Sequence, residues 1–228
     1  GKPVLLTESC TNALEMAAIL ADLQPGDEVI MPSFTFVTTA TPFALRGAVP
    51  VFVDSTPDTL NIDPQKIEDA ITPKTKAIVP MHYAAVGCDM TAIQDIAKRH
   101  KLMIIEDAAQ CINARQNGQP LGTFGTFGAF SFHYTKNVQC GHGGCLIVND
   151  ESYLERAKVV WQKGTNRERF LEGKVDKYTW VDLGSSYMPS EYVAAILLSQ
   201  LERVDSITEE RLKIWHAYHD ALKPLEDA

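Results

Sequence analysis

Leu102-Met103-Ile104-Ile105-Glu106-Asp107-Ala108-Ala109-Gln110 is a short apolar run closed by two acids and followed by small residues. Such a run, bounded by polar residues, suits a strand buried on both faces, as in a parallel sheet. The pattern recurs along the chain. Val4-Leu5-Leu6, Glu28 to Pro32, Pro50 to Asp54 and Lys76 to Pro80 are further expected strands. Helical segments separate them: Thr11 to Leu23, Thr35 to Arg46 despite Pro42, Pro64 to Ile71 behind the capping Asp63, and Met90 to His100. From Ala129 to Val148 the alternation tightens into strand, loop and strand. After Glu151 the chain is mostly helical, with a polar passage at Gly164 to Lys177 and one long helix expected from Ser190 to Ala221. The expected architecture is α/β: one domain, residues 1–228, with a mostly parallel central sheet flanked by helices and a helical tail.

Composition narrows the function. A net charge of -8 gives no basic surplus to neutralise phosphates, which argues against a nucleic-acid binder. No apolar run reaches the roughly 18 residues of a membrane-spanning helix. The five cysteines, Cys10, Cys88, Cys111, Cys140 and Cys145, are odd in number and form no CxxC pair. They are expected as reduced thiols in a cytoplasmic protein, with no metal site implied.

The chemistry lies in two segments. Asp107 ends its strand where open α/β sheets bind ligands, although Asp is equally a helix cap. After the glycine-rich passage Gly118 to Gly128 comes Phe130-Ser131-Phe132-His133-Tyr134-Thr135-Lys136-Asn137, whose lysine stands twenty-nine positions after Asp107. A lone loop lysine is usually just solvated. Flanked by bulky apolar residues and by Gly141, Gly143 and Gly144, Lys136 gains a close, partly dry setting. A strand-end carboxylate and such a lysine are what pyridoxal 5'-phosphate (PLP) requires: a lysine to form a Schiff base and an acid to keep the pyridine nitrogen protonated. A phosphate site is also needed. Thr7-Glu8-Ser9-Cys10-Thr11-Asn12 precedes a helix and offers hydroxyls beside a helix start, a weak signal equally read as ordinary capping. Phe36 could stack on a ring, but a core position is the commoner fate of such an aromatic. His133 is expected to be a surface or packing histidine.

Taken in order, Ser9-Cys10-Thr11, Gly26 to Ile30, Pro32-Ser33-Phe34-Thr35-Phe36, Val79-Pro80-Met81-His82-Tyr83, Glu106 to Gln110, Ser131-Phe132-His133 and Lys136-Asn137 resemble the DegT/DnrJ-type sugar aminotransferases, PLP enzymes of the aspartate-aminotransferase fold (fold type I). Lys163 to Arg167, Val175 to Trp180 and Asp182 to Tyr187 are most similar to transaminases forming dTDP-4-amino-4,6-dideoxygalactose for enterobacterial common antigen, a surface polysaccharide. The resemblance implies that Lys136 holds the cofactor and shuttles the proton. It implies that Asp107 pairs with the ring nitrogen, Gln110 lies on the ring-hydroxyl side and Phe36 stacks. Cys10, Thr11 and Ser131 would hold the phosphate, and Ser186 would reach the neighbouring subunit's site in a homodimer. The substrates implied are glutamate and dTDP-4-dehydro-6-deoxyglucose.

The chain departs from that family at His142, where Gly-Glu-Gly-Gly becomes Gly141-His142-Gly143-Gly144, and at Ser186, where many relatives carry asparagine. The resemblance further implies a preceding segment and a following small domain beyond this chain. A truncated, catalytically silent PLP-binding subunit is therefore the second expectation. Related sugar dehydratases carry histidine in place of the lysine, which Lys136 opposes. A Rossmann dehydrogenase is disfavoured because no GxGxxG follows the first strand.

Overall fold

The computed structural model describes residues 1–225, so the last three residues of the expected domain lie outside the described residues. The described residues form nine strands: β1 (Val4–Thr7), β2 (Glu28–Pro32), β3 (Val49–Val53), β4 (Thr75–Ile78), β5 (Met103–Asp107), β6 (Arg115–Gln116), β7 (Gln119–Pro120), β8 (Phe127–Ser131) and β9 (Gly144–Val148). Eight α-helices join them: α1 (Cys10–Leu20), α2 (Thr41–Leu45), α3 (Pro64–Asp69), α4 (Met90–His100), α5 (Leu154–Trp161), α6 (Arg167–Leu171), α7 (Glu191–Leu201) and α8 (Val204–Leu222).

Seven strands make one sheet in the order β1-β9-β8-β5-β4-β2-β3, while β6 and β7 form a separate ribbon. The pairs β2–β3, β2–β4, β4–β5 and β5–β8 are parallel; β9 runs against both β8 and β1. The mostly parallel α/β architecture read from the apolar runs is therefore the one observed. Helices cover both faces. On one side Leu14, Met16 and Leu20 of α1 pack with Phe127, Leu146 and Val160; on the other, Ile67, Met90 and Ile93 pack with Ile30, Ile78 and Ile104. Five free cysteines are all buried, and burial pushes the thiols of Cys88 and Cys145 up to about 12.

Two expected helices are corrected. Thr35 to Arg46 is not continuous: a 3-10 turn at Val37–Thr39 precedes α2, and Pro42 sits in the first turn of α2, where it needs no N–H partner. The long helix from Ser190 is two helices. At Arg203 the backbone leaves helical geometry (φ -112°, ψ 9°) and α8 sets off anew. The strand at Leu102 to Ile105 extends to Asp107, which places both acids within the sheet.

Candidate active site

Asp107 is the last residue of β5, between the parallel strands β4 and β8. It therefore sits at the carboxyl edge of the sheet, where crossover loops part and leave room for a ligand. Its side chain is buried, 3% exposed. Oδ2 accepts a hydrogen bond from Thr39 Oγ1 at 2.7 Å, and Oδ1 accepts one from the Ala109 N–H at 3.1 Å. Burial pushes this carboxyl above the ordinary aspartate range, while the bonds from Thr39 and Ala109 and the charge of Lys136 pull it back. Among the described residues no cation is ion-paired with it, so the carboxylate has acceptor capacity left for an incoming donor.

Lys136 comes from the β8–β9 connection. That loop is pinned by Phe132 N–H to Gly143 O (2.8 Å), Cys140 N–H to Phe132 O (2.9 Å) and Tyr134 N–H to Gly141 O (2.9 Å). Gly141 turns at φ +83°, a conformation that favours glycine. The half-buried Lys136 lines a cavity of about 1040 Å³ together with Gln110 and Ser131. Arg211 and Trp215 of α8 line the same space. Gln110 is fixed by the Ala84 N–H, which donates to its Oε1 at 2.7 Å.

The helix start is also close. Ser9 caps α1 by accepting the Asn12 N–H at 3.1 Å, Cys10 is its first residue, and Thr11 is half-buried. Burial, and next the charge of Asp107, push the Cys10 thiol well above its ordinary value. β9 begins against this turn. A Cβ at Gly144 would lie 2.3 Å from both Cys10 N and Ser9 C, so only glycine lets the strand approach the helix start.

The expected site residues do not all meet. Gln110, Ser131 and Lys136 line the cavity, with Asp107 buried two residues before its Ala109 wall, whereas Cys10, Thr11, Phe36 and Ser186 are outside the lining. Phe36 is 67% exposed rather than in the core, because it opens the 3-10 turn that carries Thr39 inward. Ser186 is exposed, paired through an isolated bridge with Gln162. His133 is half-buried, outside the cavity lining, with its ring 5.1 Å from that of His142. Burial, then His142 and Lys136, push His133 below the ordinary histidine range.

Three features escaped the sequence. Thr39 lay inside an expected helix with nothing to mark it. Arg211 and Trp215 are unremarkable on a helix until α8 turns over the cavity. Glu106 was passed over for its neighbour, although two adjacent acids on a buried strand are themselves a signal.

These residues fit PLP on an observation of the site itself: a buried carboxylate with unused acceptor capacity suits a protonated ring nitrogen, with a lysine in the adjoining cavity and a helix start beside it.

A family model described as DegT/DnrJ/EryC1/StrS aminotransferase matches residues 2–228. The chain belongs to that family. It is 44% identical over 204 residues to a pleiotropic regulatory protein of Geobacillus stearothermophilus, covering 89% of this chain and 52% of that protein. It is 37% identical over 217 residues to GDP-perosamine synthase of Caulobacter vibrioides, covering 94% and 57%. A Streptococcus pneumoniae structure described as a sugar aminotransferase, solved in apo, PMP and PLP forms, superposes in its PLP form with a TM-score of 0.89 at 27% identity, covering 97% of this chain and 60% of that one. The chain thus spans little more than half the length of the relatives it matches. DegT/DnrJ-type aminotransferases use PLP, in agreement with the cofactor expected from Asp107 and Lys136.

Proposed function

We propose that residues 1–228 are the PLP-binding large domain of a sugar aminotransferase that moves the amino group of glutamate to C4 of dTDP-4-dehydro-6-deoxyglucose, for surface polysaccharide synthesis in the cytoplasm. The observation that carries this reading is the buried Asp107 at the strand edge, with no ion-pair partner among the described residues, and Lys136 in the adjoining cavity. The family, with a relative named GDP-perosamine synthase, supports a nucleotide-linked sugar as acceptor.

PLP, when bound, supplies an electron sink for the carbon that loses its proton. Asp107 Oδ would accept the ring N–H and keep it protonated. Ser131 and the start of α1, with Cys10 and Thr11, would bind phosphate. Gln110 would meet the ring-hydroxyl side, and Phe36 would lie over the ring face. Lys136 Nζ would hold PLP and, when free, would be the base that moves the proton at the reacting carbon of glutamate and of the sugar. Ser186 would serve a second copy in a homodimer. The exposed apolar side chains of Trp180, Val181, Leu183 and Met188 around it support such a contact.

Borohydride reduction of the PLP-loaded chain, followed by peptide mapping, tests the assignment. The expected result is PLP fixed on Lys136 and none fixed in Lys136→Ala. An intact yellow adduct in that variant refutes the role of Lys136. No adduct in the parent chain would favour the cofactor-silent subunit.

A further inference from the structure

Behind the proposed site lies a second buried polar assembly that transamination does not use. Glu106 and His82 are both 0% exposed. Glu106 is next to Asp107 on β5, so its side chain leaves the opposite face of the sheet. Its Oε1 accepts from the N–H groups of Phe124 and Gly125, both at 2.6 Å. Its Oε2 accepts from the Gly122 N–H at 2.8 Å and lies 3.0 Å from His82 Nε2. His82 Nδ1 in turn accepts the Cys88 N–H at 3.1 Å. A neutral imidazole whose Nδ1 accepts must carry its proton on Nε2, and that proton points at Glu106. One tautomer satisfies every polar atom of the pair, and the carboxylate's four lone-pair sites are all taken. A buried network so complete holds its parts in one arrangement.

Two links run from His82 to the cavity. Its backbone N–H donates to Asp107 O at 3.2 Å. The chain then passes through Ala84 and Ala85, which stand at φ 51° and 65°. Left-handed geometry is unfavourable for alanine, so neighbouring contacts must impose it. This turn is what aims the Ala84 N–H at Gln110 Oε1. With its oxygen engaged, Gln110 has its Nε2 hydrogens left for the cavity that it lines with Lys136.

We propose that His82 and Glu106 form a positioning unit that holds the Ala84–Ala85 turn, so that Gln110 presents its amide hydrogens to the phenolic oxygen of the PLP ring. This inference rests on the PLP reading. Neither His82 nor Glu106 touches the cofactor; both act through Gln110.

The test is a pH titration of the visible absorption of the PLP-loaded full chain, with PLP affinity and thermal unfolding measured on the same samples. The proteins are the parent, Gln110→Ala, His82→Leu, His82→Gln, Glu106→Gln and the double variant Gln110→Ala/His82→Leu. Gln110→Ala, His82→Leu and Glu106→Gln are expected to move the titration midpoint in one direction and weaken PLP about 2- to 10-fold, the loss of one hydrogen bond. The double variant should be no worse than Gln110→Ala alone. His82→Gln, which keeps a donor toward Glu106, should recover most of the shift, and it serves also if His82→Leu does not fold. Unfolding at lower temperature with an unmoved midpoint would mean that the pair only supports the fold, and the inference fails. Multiplying effects in the double variant would equally overturn it. A parent chain with no visible band would refute the PLP reading itself, and this inference with it.

Discussion

Replacing Thr39 with valine keeps the side-chain shape and deletes one hydroxyl. Thr39 is fully buried, and its Oγ1 donates to Asp107 Oδ2 at 2.7 Å while lying 2.6 Å from Thr35 Oγ1. A hydroxyl that gives its proton to Asp107 must accept from Thr35, so valine breaks a relay rather than a single bond. A hydrogen bond to an ionised partner contributes about 1.5–3 kcal/mol, against about 0.5–1.5 kcal/mol for a neutral pair. In the PLP-free chain at pH 8, Thr39→Val should therefore lower stability by about 1.5–3 kcal/mol. At roughly 2–4 °C per kcal/mol for a chain of this size, Tm should fall by about 3–12 °C. The cost should shrink on acidification. Burial raises the Asp107 carboxyl above the ordinary aspartate range, so it takes up a proton early and then binds Thr39 as a neutral partner. Urea unfolding followed from pH 8 down through the carboxylate range measures both effects, and Thr39→Ser should restore the parent values. The same cost at every pH, or a cost under about 0.5 kcal/mol at pH 8, would refute the idea that this hydroxyl holds an ionised Asp107.

Other expectations follow from the same geometry. If Asp107 pairs with the ring nitrogen as proposed, Asp107→Asn should still bind PLP but lose turnover; near-normal turnover would count against that pairing. The sign of the pH effect on the PLP-free form is opposite to that of most carboxylates. A folded-state value above the unfolded one makes the parent gain stability relative to Asp107→Asn as pH falls through the folded value. Gly144→Ala should push β9 off the start of α1, since the new Cβ would meet Cys10 N and Ser9 C at 2.3 Å; a loss of about 1–3 kcal/mol or more is expected by thermal unfolding, and an unchanged Tm would refute the close approach. His133 is held below the ordinary histidine range, so the unfolded chain takes up its proton first and stability falls as pH drops through the range of an ordinary histidine. His142→Gln should weaken that acid sensitivity; an unaltered pH–stability curve would show that His142 does not act on His133.

Much of the framework was legible because it is local. Leu102 to Ile105 is apolar without interruption, so a strand ending in acids could be read directly, and Lys136 stood out by its setting beside Phe130, Phe132 and the following glycines. What failed is tertiary. Thr39 reaches Asp107 across 68 positions, and no spacing rule connects them. Phe36 is exposed at the head of the 3-10 turn that puts Thr39 inside. Glu202 and Arg203 contain no glycine or proline, so the division between α7 and α8 leaves no mark in the residues. Glu106 and His82 occur in segments that could be matched by likeness, yet their partnership depends on Gly122, Phe124 and Gly125 folding back over the carboxylate.

The reversed course of β9 has a consequence for the order of assembly. Val4 pairs with Ile147 and Thr7 with Gly144, so β1 cannot find its neighbour until the chain has run on to β9. The parallel pairs β2–β3 and β4–β5 close over far shorter loops. Long-range pairing forms late because its loop must be ordered before any contact repays it. During synthesis the half of the sheet from β3 to β5 can gather first, with Asp107 at its rim still uncovered. β9 then packs against the start of α1, so the candidate edge is completed late.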